Sequence, residues 1–243
     1  MLRTINVFSY GISRLFGLYP KYKKTKQLVD AGKLKEAEDY LVPNYLYKAL
    51  DKVLKKSGVT VDVTGLENIP KEGPFILLSN HQGNFDPIVL MYALKTKRFG
   101  FIAKKEIKKI WILKIWMEVI GCAFIDRKSP RDAIKSLAEA EKIIKGGTPM
   151  AFFPEGTRSR SSKVGTFKTG VFKIVEKVKV PVIPVAINGT YKVMEANNGK
   201  IKPANVTVTI GKQIQTKDYT KEEFKELPEK VKENIINIMR PFE

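Results

Sequence analysis

His81 is the only histidine among 243 residues, and it stands five residues before Asp86 in the string Asn80-His81-Gln82-Gly83-Asn84-Phe85-Asp86-Pro87. Imidazole is the side-chain type whose free pKa lies nearest neutrality, so proton transfer at pH 7 would fall to this residue first. A carboxylate bonded to one ring nitrogen fixes the tautomer and stabilises the imidazolium. The other nitrogen is then a base for a hydroxyl, an effect of roughly 10²–10⁴-fold in rate. Asp86 is the candidate for that carboxylate. It also reads as a plain helix cap ahead of Pro87, and one side chain can do both. A second string, Phe153-Pro154-Glu155-Gly156-Thr157-Arg158-Ser159, suits an anion. Gly156 allows a tight backbone, Thr157 and the loop N–H groups can donate, and Arg158 can grip a phosphate through two parallel bonds. Lys163, Lys168 and Lys173 follow with no acid until Glu176. Taken alone, the same string reads as a polar turn.

Chemistry of this kind needs elements that bring the strings together. From Gly58 onward, short apolar or β-branched runs at 59–63, 75–79, 99–103, 122–125, 149–153, 182–187 and 206–210 alternate with helical stretches. One helix opens at Asp86-Pro87. Another opens at Ser129-Pro130 and stops at Gly146-Gly147, and the last carries Phe224, Leu227, Val231, Ile235 and Ile238 on one face. The alternation predicts an α/β fold, with a largely parallel or mixed sheet of about seven strands covered by helices. In such sheets the loops leaving the carboxyl ends of strands build the site, and His81, Arg127 and Glu155 all follow strand ends. Residues 1–57 are expected to form an N-terminal helical membrane-interface segment, with Asn44 as the candidate cap of its second helix, and residues 58–243 the catalytic domain.

The formal charge is +19, from 44 Lys and Arg against 25 Asp and Glu, which draws the chain to polyanions such as nucleic acid, anionic lipid or an acidic protein. The excess concentrates in residues 95–114, where eight basic residues face Glu106 alone and run into the apolar stretch 110–117. Ile5, Phe8, Ile12, Leu15 and Phe16, with Arg3 and Arg14 nearby, resemble a helix that lies in a membrane surface. No run reaches the roughly 18 apolar residues of a spanning helix, and no signal-peptide pattern is present. One cysteine, Cys122, excludes an intrachain disulfide, and with one histidine it leaves no basis for a His/Cys metal site.

Taken together, the motifs resemble the glycerolipid acyltransferase family, specifically its 1-acyl-sn-glycerol-3-phosphate acyltransferases. Four blocks appear in order: Asn80-His81 to Asp86; Gly121-Cys122-Ala123-Phe124-Ile125-Asp126-Arg127; Phe153 to Ser159; and Val180-Pro181-Val182-Ile183-Pro184-Val185. Ala103-Lys104-Lys105-Glu106 and Phe167-Lys168-Thr169-Gly170 are similar to segments between them. The resemblance covers about residues 58–211. One departure is Gly83, where many members carry Ser. The resemblance implies acyl transfer from acyl-CoA or acyl carrier protein to the 2-hydroxyl of lysophosphatidic acid, giving phosphatidic acid, with no metal and no cofactor beyond the acyl donor. It implies His81 and Asp86 as catalytic dyad. Glu155, Gly156, Thr157 and Arg158 would bind the glycerol phosphate, with Lys105, Arg127 and Lys168 as helpers. A bilayer substrate makes a peripheral or monotopic enzyme on the cytoplasmic face of the inner membrane the expectation, with residues 1–19 and the stretch holding Trp111 and Trp116 dipping into the phospholipid surface. Glycerol-3-phosphate or another lysophospholipid is the alternative acceptor. A basic nucleic-acid-binding protein is the rival from another class, but no recognition motif supports it, and it leaves both chemical strings unexplained.

Overall fold

A computed structural model describes residues 1–95, 97–125 and 130–241, leaving the side chains of residues 15, 16, 111, 112 and 130–133 outside the description. Its centre is one seven-stranded sheet. The strands are β1 (Val59–Thr64), β2 (Ile76–Ser79), β3 (Gly100–Lys104), β4 (Ala123–Ile125), β5 (Met150–Phe152), β6 (Val182–Asn188) and β7 (Ala204–Ile210). They lie in the order β1-β7-β6-β2-β5-β3-β4. Neighbours are parallel except β6 and β7, where Ala186 faces Thr209 in an antiparallel pair. The sheet is therefore mixed, and the seven apolar runs coincide with its strands.

β2 sits mid-sheet between β6 and β5, and all four of its residues are buried. Such an unbroken apolar strand requires cover on both faces. Leu77, Val185, Ile187, Val206 and Val208 pack on one face against α4 (Tyr47–Ser57) and α5 (Asp86–Ala93). Ile76, Leu78, Val182 and Ala186 pack on the other against α7 (Pro130–Lys145), α8 (Gly170–Val178) and α9 (Lys221–Ile238). α9 starts at a capping box in which Thr220 and Glu223 satisfy each other's backbone N–H groups.

The first 57 residues form α1 (Leu2–Gly17), α2 (Tyr19–Asp30), α3 (Leu34–Leu41) and α4, which ends at Gly58 in the left-handed region, φ 70°. Asn44 does not cap a helix. It lies within a π turn, Val42–Leu46, that runs α3 into α4, and its amide donates back to the Tyr40 carbonyl at 3.0 Å. α1 is tied to the body by buried Val7 and by the Ile201 N–H, which donates to Thr4 Oγ1 at 2.8 Å. Leu18 just ahead of α2, with Ala37 and Leu41 of α3, is buried against Ile115, Trp116 and Val119 of α6 (Trp111–Val119), and Tyr22, Leu28 and Val29 of α2 pack beside them. Arg98 and Glu38 add an ion pair at 2.5 Å across that junction.

This packing corrects one expectation. Trp116 is only 6% exposed, because α6 turns that face toward α2 and α3, so it is not part of a membrane-facing surface. Ile5, Phe8 and Ile12 are 52–54% exposed along the outer face of α1. The side chains of Leu15, Phe16 and Trp111 lie outside the described set. Among the described residues, no helix is long and apolar enough to cross a membrane.

Candidate active site

The loop after β2 and the loop after β5 meet at the carboxyl edge of the sheet. The loop after β2 holds its shape through backbone bonds to other strand ends. Asn80 exchanges two 2.8 Å bonds with the Ile187 N–H and C=O at the end of β6. The Gly189 N–H donates to Gln82 Oε1 at 2.9 Å. The Ser159 N–H donates to the His81 carbonyl at 2.8 Å and the Arg160 N–H to the Gln82 carbonyl at 3.1 Å, which locks the two loops side by side.

His81 Nδ1 lies 2.6 Å from Asp86 Oδ2, and Asp86 is fully buried. That carboxylate has two further donors: the Gly83 N–H at 2.8 Å to Oδ2, and the Thr190 hydroxyl to Oδ1. With the carboxylate as acceptor, the imidazole donates from Nδ1 to Asp86, and Nε2 is the ring nitrogen left to act as a base. The ring stacks on Phe153, centroids 4.2 Å apart and planes 19° apart, which fixes its tilt. Asp86 is the first residue of α5, with Phe85 at the cap position and Pro87 second, so the reading of Asp86 as the helix cap does not hold and the carboxylate serves the imidazole.

Glu155 occupies a different place from the one expected. It is 4% exposed, and its oxygens accept the His81 N–H at 2.8 Å and the Gly165 N–H at 3.1 Å. Burial pushes its carboxyl pKa up, against the pull of those two bonds. Both oxygens are thus committed to joining the loops, so Glu155 braces His81 from behind. Gly156 turns the chain at φ 68°, and a Cβ there would sit 3.0 Å from Lys168 Nζ, so the lysine lies across that glycine. Thr157 is exposed, and Arg158 is half-buried. Lys105 is exposed just past β3 on the same carboxyl edge. Arg127 lies outside the described residues.

Sequence reasoning missed Thr190 and Glu195. Thr190 is 104 residues from the carboxylate it donates to. Glu195 pairs with Arg158 at 2.9 Å from a 3₁₀ turn, Glu195–Asn197. Neither belongs to a local pattern, and no spacing rule points to them. Cys122 is buried and its thiol is pushed up to about 12 by desolvation, so it stays a neutral packing group. Among the described residues, no group of three or more His, Cys, Asp and Glu could hold a metal ion.

A family model described as Acyltransferase matches residues 60–188. A probable 1-acyl-sn-glycerol-3-phosphate acyltransferase of Mycoplasma pneumoniae is 37% identical over 174 residues, covering 70% of this chain and 64% of the relative. The 1-acyl-sn-glycerol-3-phosphate acyltransferase of Borreliella burgdorferi is 32% identical over 184 residues, covering 76% of this chain and 70% of the relative. The match thus spans just under two thirds of the mycoplasma protein. The crystal structure of the 1-acyl-sn-glycerophosphate acyltransferase PlsC from Thermotoga maritima superposes with a TM-score of 0.76 at 28% identity, covering 97% of this chain and 94% of that one.

Proposed function

The chain belongs to the acyltransferase family, and from that footing we propose that it transfers an acyl group from a thioester to the free 2-hydroxyl of 1-acyl-sn-glycerol 3-phosphate, giving phosphatidic acid. The observation that carries the mechanism is the His81–Asp86 pair, 2.6 Å apart at the carboxyl edge, with Asp86 saturated by Gly83 and Thr190. His81 Nε2 takes the hydroxyl proton as the alcohol oxygen attacks the thioester carbonyl. Asp86 stabilises the imidazolium across Nδ1. The tetrahedral intermediate collapses, the C–S bond breaks, and the proton on Nε2 passes to the departing sulfur. A thiol of ordinary pKa leaves readily, so neither an acyl-enzyme nor a metal is needed. The donor is acyl-CoA or acyl carrier protein, acting as co-substrate.

The phosphate of the acceptor sits by the 156–158 turn. Arg158 supplies the paired donors, Gly156 and Thr157 the backbone and hydroxyl, and Lys168 and Lys105 the surrounding positive charge. Glu155 contributes by holding this turn against His81. Residues 1–57 act as the membrane-interface segment and 58–243 as the catalytic domain. The exposed face of α1, bearing Ile5, Phe8 and Ile12, rests in the headgroup layer of the membrane's cytoplasmic face, and the basic surface adds about 1 kcal/mol per lysine near anionic lipid.

A lipid-product assay tests this reading. Purified protein receives labelled acyl-CoA with lysophosphatidate, glycerol 3-phosphate or lysophosphatidylcholine in separate reactions. Labelled phosphatidate from the first alone is expected. Product from glycerol 3-phosphate alone would move the acceptor assignment, and no product with any acceptor or with acyl carrier protein would remove it.

A further inference from the structure

Glu195 belongs to none of the blocks, yet it touches two of them. Its side chain is 4% exposed. Oε1 accepts from Arg158 Nη1 and from the Asn84 N–H, both at 2.9 Å, and Nη1 also donates to Asn84 Oδ1 at 2.6 Å. One nitrogen of the guanidinium is therefore pinned to the loop after β2. No such bond engages Nη2 or Nε among the described residues, so that edge is left for another ligand. Oε2 is buried with no hydrogen-bond partner. It stands 2.6 Å from where a Cβ on Gly83 would be, with the Glu195 carboxyl carbon at 3.0 Å and the Thr190 carbonyl at 3.3 Å. A side chain at position 83 and this carboxylate cannot keep these places together.

We infer that Glu195 is a positioning residue for the acceptor's phosphate, acting through Arg158, and that position 83 is glycine in this chain to admit it. Arginine has many rotamers, and ordering one is costly unless something holds it. A buried carboxylate on Nη1 leaves the Nη2–Nε edge preset for a phosphate, so less freedom is lost on binding. The glycine at position 83, where the family resemblance implied Ser, then has a physical reason in Glu195, 112 residues further along the chain.

The inference rests on Arg158 as phosphate ligand, and steady-state kinetics of single and double variants separate the two. Glu195→Ala should raise the KM for lysophosphatidate roughly ten- to hundredfold, while kcat and the acyl-CoA KM move less than about threefold. Glu195→Gln keeps an oxygen acceptor for Nη1 and should recover most of that loss. In an Arg158→Ala background, Glu195→Ala should add less than about twofold. Multiplicative losses in the double variant, or a matched fall in kcat, would overturn the positioning role. If Arg158→Ala leaves the acceptor KM normal, the phosphate assignment fails and this inference with it. If Arg158→Ala raises KM and Glu195→Ala does not, only the inference fails. Should Glu195→Ala not fold, Gly83→Ala gives an independent reading. It should raise the acceptor KM in the parent and add nothing in Glu195→Gln, Arg158→Ala, and equal effects in both backgrounds would overturn the coupling.

Discussion

The loops around His81 and the helices of residues 1–57 are held by opposite means. Around His81 the groups are buried and each has a named partner: Asp86 takes three donors, Glu155 two, and Asn80 both a donor and an acceptor. In the helices, α2 and α3 rest on an apolar seam, and many of the polar contacts are exposed pairs one turn apart, such as Lys33–Glu36 and Lys35–Asp39. Exposed pairs contribute roughly 0.3–0.5 kcal/mol, whereas orphaning a buried polar group costs about 1–3 kcal/mol. The first region therefore has definite geometry with little tolerance, and the second tolerates change while keeping one face of α1 uncovered.

His81→Ala is the most severe way to probe the first region. Acyl transfer should fall by about 10²–10⁴-fold with circular dichroism unchanged, and near-normal turnover would remove the base from the mechanism. Thr190→Val follows. It strips Asp86 Oδ1 of its hydroxyl donor, and should cost about tenfold in kcat together with about 1–3 kcal/mol by urea denaturation. Glu155→Gln turns an amide NH₂ toward one of two N–H donors, so the brace is halved and the melting temperature should drop. The pH dependence has a definite sign. Because the folded pKa is raised, ionised Glu155 is disfavoured in the fold, and the stabilisation of its protonated form fades as pH climbs through the raised value. The glutamine variant should accordingly lose most, relative to the parent, at acid pH. The smallest effect on the fold belongs to the second region. Replacing Ile5, Phe8 and Ile12 with Ser should shift stability by no more than about 0.5 kcal/mol per site, yet cut flotation with anionic liposomes severalfold. Unchanged flotation would mean that this face meets no membrane.

The same contrast governs what was readable in the residues. The strands were legible because burial on both faces forces apolar β-branched runs, and each run falls within two residues of a strand end. His81 and Asp86 were legible because five residues of loop and a Pro87 helix start bring them together locally. The antiparallel β6–β7 pair was not, since a run of Val and Ile reports burial and carries no direction. Thr190 and Glu195 were hidden because their partners lie in a different loop, and a Thr or Glu in a short polar stretch looks like any surface residue. Trp116 misled for a related reason. Apolar residues beside lysines look alike whether a bilayer or another helix covers them, and here α2 and α3 do.

The strand order also sets a timetable for synthesis. Among the described residues β1 pairs only with β7, and Thr60 and Asn205 in that pair are 145 residues apart. Thr4 on α1 waits still longer for Ile201, 197 positions later. On a ribosome adding about 5–20 residues per second, α1 can pack on α4 soon after both are made, yet its bond to Ile201 waits some ten seconds or more. During that interval the exposed face of α1 is available to a lipid surface before the sheet has closed. On the proposed function, seating on a bilayer and completion of the sheet would then be successive events, and slowing translation between residues 64 and 204 should lengthen the interval between them without harming the sheet.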